Sequence, residues 1–239
     1  MVTKKVIKML MLLSVMLLSA CDNQKAEFDA IRTKALQNPD PWQAWQQLNA
    51  EAEKACPEKQ AFPSCSEILK TDYRNLSFSL YRKALKQHSS AALTDLFMRD
   101  DPPDELKSQM PALAAELISI AGYSSGDRAS AKILAAAAHV LDRGKWVQQD
   151  SVRAAAYFAR AWLAYDTQAP ASLSRLYSEQ HDDASAVLWR LRCTGDCDIS
   201  QAPYGESDSL SPRQILRIQS LAKDRSIITV NGQASWEEK

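Results

Sequence analysis

An all-α fold is predicted by three observations. Apolar residues recur at spacings of three and four along most of the chain, the stretch from Ala129 to Cys193 is rich in alanine with aromatics between, and only Ile227 to Val230 reads as extended. One short strand makes no sheet. The composition, 46% apolar and 24% charged over 239 residues, is that of an ordinary folded protein large enough for one large or two small domains. Six glycines leave little material for the tight loops of phosphate and cofactor sites.

The first 20 residues carry Lys4, Lys5 and Lys8 and no acid, followed by an apolar core from Met9 to Ala20 that is too short to span a bilayer. This pattern predicts a secretion signal over 1–20. Without it the formal charge falls from zero to −3, which offers nothing to nucleic acid. The signal ends Leu18-Ser19-Ala20-Cys21, which resembles a bacterial lipobox. That resemblance implies cleavage before Cys21, lipidation of its thiol and stable anchoring by acyl chains. A conventional signal ending near a cysteine is the alternative. Asp22 after the cysteine resembles an inner-membrane retention signal, which implies the periplasmic face of the inner membrane, with the periplasmic side of the outer membrane as alternative.

Residues 21–102 read as an N-terminal helical region. Phe28, Ile31 and Leu36 form a rough stripe that Pro39 ends, and Asp40-Pro41 is a helix start ahead of Trp42, Trp45 and Leu48. The two tryptophans fit core packing or an aromatic anchor for a partner. A long helix follows from Ser66 to His88, with Ile68, Leu69, Tyr73, Leu76, Leu80 and Leu85 on one side. Ser90 is expected to cap a short helix with Leu93, Leu96 and Phe97. The run Asp100 to Glu105, with Pro102 and Pro103 inside it, is the expected boundary.

Residues 103–225 read as a helical repeat region with a C-terminal capping helix. A helix is expected from Asp104 to about Ala121, a turn from Gly122 to Gly126, and a new start at Asp127. Asp150 caps a helix with the expected stripe Val152, Ala155, Ala156, Ala159, Trp162 and Leu163. The order Gly144, Val147, Asp150, Ala154, Tyr157, Ala161, followed by Ala169, Leu173, Tyr177 and then Ala186 and Trp189, resembles the Sel-one-like repeat, a relative of the tetratricopeptide repeat; Ile133 and Ala169 are 36 positions apart. Trp146 and Ser174 depart from it, each standing where the family prefers glycine. The resemblance covers about a quarter of the chain and implies a short right-handed solenoid of antiparallel helix pairs. An ordinary bundle is the alternative. Pro212 starts the expected capping helix with Ile215, Ile218 and Leu221, and 226–239 is a tail around Trp236.

With Cys21 lipidated, Cys56, Cys65, Cys193 and Cys197 remain, an even number in an oxidising compartment. Three pairings are possible, and the two local ones, Cys56 with Cys65 and Cys193 with Cys197, are favoured by the turn residues between their ends. A four-cysteine zinc site is the rival, although neither gap is the usual knuckle spacing.

No nucleophile elbow, zinc-protease helix, phosphate loop or dinucleotide fingerprint occurs in the sequence. His88, His139 and His181 each read as surface or helix-terminal residues. No catalytic residue, metal site or cofactor is therefore assigned, and the chain reads as a binding protein. By resemblance, lipoproteins with Sel-one-like repeats include immunity proteins that neutralise phospholipase effectors of type VI secretion systems. One protein partner, a secreted lipase, is accordingly expected, with an envelope or secretion-complex scaffold as alternative. Arg143, Lys145 and Trp146 are the candidate contact residues, because a large ring beside two cations occupies a turn where glycine would keep the chain small. The competing account makes Trp146 a lid on the alanine-rich core.

Overall fold

The computed structural model describes residues 25–55, 67–99, 101–198 and 210–230. The signal segment, the lipidation candidate Cys21, the pair Cys56 and Cys65, and the tail from 231 lie outside these. The described residues are all-α. They form two compact units that divide between Ala92 and Leu93, so that the acidic, proline-containing run at 101–105 lies within the second.

In the first unit, helix α1 (25–37) is followed by α2 (Pro41–Ala55) and α3 (Glu67–Lys86). Asp40 starts α2 as the sequence requires, its carboxylate accepting from the backbone N–H of Trp42 at 2.8 Å and of Gln43 at 3.2 Å. The core is Ile31, Ala35, Ala44, Leu48 and Leu80, with Trp45, Tyr73 and Leu76 half-buried against it. Ala35 therefore occupies the position expected of Leu36, which is 54% exposed: the stripe steps by four from Ile31, and only a small side chain fits at that approach. Asn49 ties α2 to α3, accepting from Tyr73 Oη at 2.6 Å and Ser77 Oγ at 3.2 Å. Helix α4 (Ser90–Met98) follows, and the Ser89 hydroxyl, one position before the expected cap Ser90, accepts from Ala92 N at 3.4 Å.

The second unit continues through a 3-10 turn (Asp104–Gln109), α5 (Met110–Tyr123), a 3-10 turn (Arg128–Ser130), α6 (Ala131–Arg143), α7 (Ser151–Leu163), α8 (Ala169–Glu179), α9 (Asp183–Arg192) and α10 (Pro212–Leu221). Each of α5 to α10 packs on the next in the chain. The single helix expected from Asp104 is divided at Pro111, which has no N–H to donate to the turn before it and sits in the first turn of a new α-helix, so Asp104–Gln109 forms a 3-10 turn and the α-helix begins at Met110.

Helix α7 is flanked by α6 and α8 and buries a broad strip: Ala154, Ala155, Phe158, Ala159, Ala161 and Trp162. Val152 in its first turn and Leu163 in its last, both expected to be interior, are 78% and 44% exposed, and Ala156 is exposed as well. Two flanking helices cover a different arc from the one that a single neighbour would. The repeat-like positions otherwise have clear physical roles. Gly144 ends α6 at φ +63°, Asp150 caps α7 by accepting from Arg153 N at 2.9 Å, and Ala154, Ala161, Ala169, Leu173, Ala186 and Trp189 are buried. Ser174, in place of glycine, is buried and donates its hydroxyl to the Ala186 carbonyl at 3.0 Å, joining α8 to α9.

Helix α9 ends in a disulfide between Cys193 and Cys197, with Cα atoms 5.2 Å apart, as the local pairing expects. Helix α10 opens with a reciprocal capping box between Ser211 and Gln214. Beyond it, the chain turns through 222–226 and runs on to 230 against α9, held chiefly by Arg192. Its guanidinium donates to the carbonyls of Ala222 at 3.2 Å, Ile227 at 2.7 Å and Asp224 at 2.5 Å, and lies 4.5 Å and 4.7 Å from the ring centroids of Trp162 and Trp189.

Three helices end on a non-glycine residue in the left-handed region. His88, Tyr165 and His181 have φ of +56°, +72° and +58°, and each is followed by a residue whose N–H reaches back to the last helical turn: Ser89 to Ala84 at 3.1 Å, Asp166 to Ala161 at 2.9 Å, Asp182 to Tyr177 at 2.9 Å. A Cβ in this region costs about 1 kcal/mol. His181→Gly is therefore expected to raise the melting temperature by roughly 2–4 °C. Gly144→Ala is expected to lower it by more, since the added Cβ is strained at φ +63° and would stand 2.7 Å from Gln149 Cβ. Thermal melts followed by circular dichroism measure both shifts.

Candidate partner-binding site

The end of α6 and the turn after it are arranged by two backbone constraints. Gly144 turns the chain out of the helix in a conformation open to glycine, and Gln149 folds back to donate from Nε2 to the Asp142 carbonyl at 2.7 Å. Pinned at both ends, the turn projects Lys145 and Trp146. Lys145 Nζ lies 4.8 Å from the centre of the Trp146 ring, a cation–π contact that holds the two side chains together.

Arg143, Lys145 and Trp146 line one wall of a small surface pocket of about 50 Å³. The remaining lining comes from Leu96 and Phe97 on α4, Arg99, Pro102, Met110 at the start of α5, and His139 and Val140 on α6. Leu96, Phe97, Pro102, Met110 and Val140 are buried, so the floor is apolar, and the cations stand at its edge. The structure thus brings the three sequence candidates to one place. Trp146 is half-buried there, as a wall of the pocket.

His139 is neither a surface nor a helix-terminal residue, contrary to expectation. It sits in the middle of α6, half-buried, its ring edge-on to Phe158 with centroids 4.9 Å apart. The reason is helical phase: it falls beside Ala138 and Val140 on a helix covered on several sides, where even a polar position is largely enclosed. His88 and His181 do lie exposed at helix ends. Burial, then Arg143 and Arg175, push the His139 pKa from its ordinary 6.5 down to about 4, against a smaller opposing effect of Asp166. The imidazole is neutral at physiological pH, with one ring nitrogen a donor and the other an acceptor.

The adjacent acid does not face the pocket cations. Asp142 is 7% exposed and pairs with Arg175 of α8, which also binds Glu179 at 2.7 Å. Arg99 is paired with Asp95 at 2.7 Å. Among the described residues, Arg143 and Lys145 have no carboxylate within ion-pair distance.

No family model, curated protein or solved structure matches the chain. The pocket's own residues are therefore what bears on function. Its α4 and α5 walls have no local signal in the sequence, because Leu96, Phe97 and Met110 look like ordinary core positions. His139 could have been found by placing it on the apolar face of α6.

The His139 shift makes stability depend on pH. Its folded-state pKa lies below the unfolded one, so as pH falls the unfolded chain takes up the proton first; stability present above about 6.5 is lost through about 4. The expected loss from this group is about 3 kcal/mol. Urea melts of wild type and His139→Phe across that range check it. The variant should lack this component of the acid destabilisation.

Proposed function

We propose that the chain is a lipid-anchored periplasmic protein whose second unit binds one protein partner. The partner in this reading is a phospholipase effector of a type VI secretion system, which the chain inhibits as an immunity protein. The observation that carries it is the convergence of Arg143, Lys145 and Trp146 on an apolar-floored pocket at the end of α6. Tryptophan and arginine around a desolvated depression are the residue types that dominate protein interfaces. A pocket of about 50 Å³ suits one side chain of a partner, whereas metabolite sites are several hundred Å³.

The consecutive packing of α5 to α10 is what a right-handed solenoid of helix pairs of the Sel-one-like kind would need, and such an array offers extended faces for protein partners. An anchor at Cys21 would hold it at the membrane, where a phospholipase acts, and raise its effective concentration there. Inhibition then needs only that the bound chain cover the enzyme's mouth. A scaffold for an envelope or secretion complex is the second reading. It is favoured by the Trp42 and Trp45 rings on the first unit, stacked 4.7 Å apart and both half-buried, which could anchor a further partner.

Affinity capture from solubilised membranes, followed by mass spectrometry, is expected to give one stoichiometric lipase; a set of envelope components would favour the scaffold. Cells expressing that lipase in the periplasm should survive with the wild-type chain. The double variant Arg143→Glu, Lys145→Glu should lose protection while its stability falls by no more than about 1 kcal/mol, both residues being exposed and Arg143 acting only on the helix end. Cys21→Ser is expected to release the protein from the membrane fraction and weaken protection without lowering affinity in solution.

A further inference from the structure

We infer that the pocket at the end of α6 receives a carboxylate side chain of a protein partner, with Arg143 and Lys145 as its counter-charges and His139 as a neutral hydrogen-bonding group in the wall. This rests on the partner-binding reading and specifies the chemistry of the contact.

Three features of the pocket point to an acidic occupant. The first is charge. Two cations stand at the edge, and three acids of the surrounding elements are engaged elsewhere: Asp142 with Arg175, Asp95 with Arg99, and Asp104 with Lys107. Neither Arg143 nor Lys145 has a carboxylate in ion-pair distance among the described residues, so an incoming carboxylate meets an uncompensated field.

The second is size. About 50 Å³ over an apolar floor of Leu96, Phe97, Met110 and Val140 accepts the short methylene stem and head of an aspartate or glutamate, with the Trp146 ring alongside the stem. Over an apolar floor, a charge-assisted hydrogen bond is stronger than one surrounded by polar groups and water.

The third is His139. The groups that act on it are Arg143 on its own helix, Arg175 on α8 and Asp166 in the turn before α8, and the two arginines outweigh the acid. Its surroundings are thus electropositive before any partner arrives. A carboxylate placed in the pocket supplies the missing negative charge and favours the imidazolium form. By linkage, the carboxylate binds more tightly as His139 takes up its proton.

The test uses the full-length protein in detergent, labelled with carbon-13 at histidine, the His139 signal being assigned from a His139→Gln variant. Nα-acetylglutamate N-methylamide is titrated in as the probe, with the glutamine analogue and inorganic phosphate as controls. The glutamate probe is expected to raise the His139 pKa saturably from about 4, the effect weakening with salt. The glutamine analogue should leave it unmoved. In the Arg143→Glu, Lys145→Glu variant the half-saturating concentration should rise at least about tenfold, which corresponds to loss of about 1.4 kcal/mol; Lys145→Gln should give a smaller rise.

No movement of His139, an equal response to the glutamine analogue, or an equal response to phosphate would each overturn the inference. So would a response that survives in the double variant. Because the probe is a single residue, its failure leaves open whether a protein binds elsewhere on the chain, which the membrane capture decides separately. Capture of a lipase by a chain whose His139 ignores the glutamate probe would retain the partner and remove this pocket.

Discussion

Helix α6 has α5 on one side and α7 on another, and reaches α8 through an ion pair, so its side chains must be small or apolar around most of its circumference. Four consecutive alanines, Ala135 to Ala138, are buried, with Ile133, Leu134, Val140 and Leu141 completing the enclosed surface. Larger side chains in the alanine run would drive the neighbours apart and open voids between them, since interiors are packed to crystal density. The polar exceptions are handled individually. His139 gives up its charge, and Asp142 is paired with Arg175. Removing Arg175 would strand a buried carboxylate, which costs more than the pair itself contributes.

A row of helices packed in sequence leaves its last member with one face uncovered, and the second unit covers α9 with a short helix and the turn-containing segment that follows it. The segment's carbonyls have no helical or sheet partner, and buried backbone polar groups require one. Arg192 supplies several donors from a single side chain, while Trp189 Nε1 donates to the Ile228 carbonyl at 3.1 Å and Val230 N to Ser185 Oγ at 2.9 Å. Burial and the nearby Arg225 lower the Arg192 pKa to about 10, so it remains charged at neutral pH. Arg225 lies 4.1 Å from the Trp162 ring centre and donates to the Trp162 carbonyl at 2.9 Å, tying the same segment to α7. The electron-rich ring faces let two guanidiniums sit close together where water could not screen them fully.

The helices were legible where their starts carry capping chemistry: Asp40 before Pro41, Asp150 before α7, Ser211 before Pro212. Their ends were less so, because the chain spends histidine and tyrosine at positions where glycine would have announced a stop. Burial was least legible in helices with two neighbours. A stripe drawn for one contact face placed Leu36, Val152 and Leu163 inside, and the structure puts Ala35, Ala154 and Ala161 there instead. Of the candidate site, Trp146 stood out because it stands where the repeat prefers glycine, and Arg143 and Lys145 because they are the cations beside it. The opposite wall, from α4 and α5, depends on contacts between residues tens of positions apart, which local periodicity does not encode. The local disulfide between Cys193 and Cys197 could be foreseen because its own short loop lets the two ends meet.

The residues that finish α6 are also the ones that build the pocket, and they are not equally constrained. Arg143 stands in the last turn, where its charge opposes the partial negative charge of the helix C-terminus. Gly144 is fixed by its positive φ, and Gln149 by its bond to the Asp142 carbonyl. Each therefore serves the helix whether or not a partner is present. Lys145 and Trp146 lie between these fixed points, contact each other, and satisfy no backbone group of the turn. Altering either leaves the helix end intact while changing what the pocket presents. Specificity for one partner over another can accordingly reside in these two side chains, with Arg143 supplying a charge that also favours the helix end.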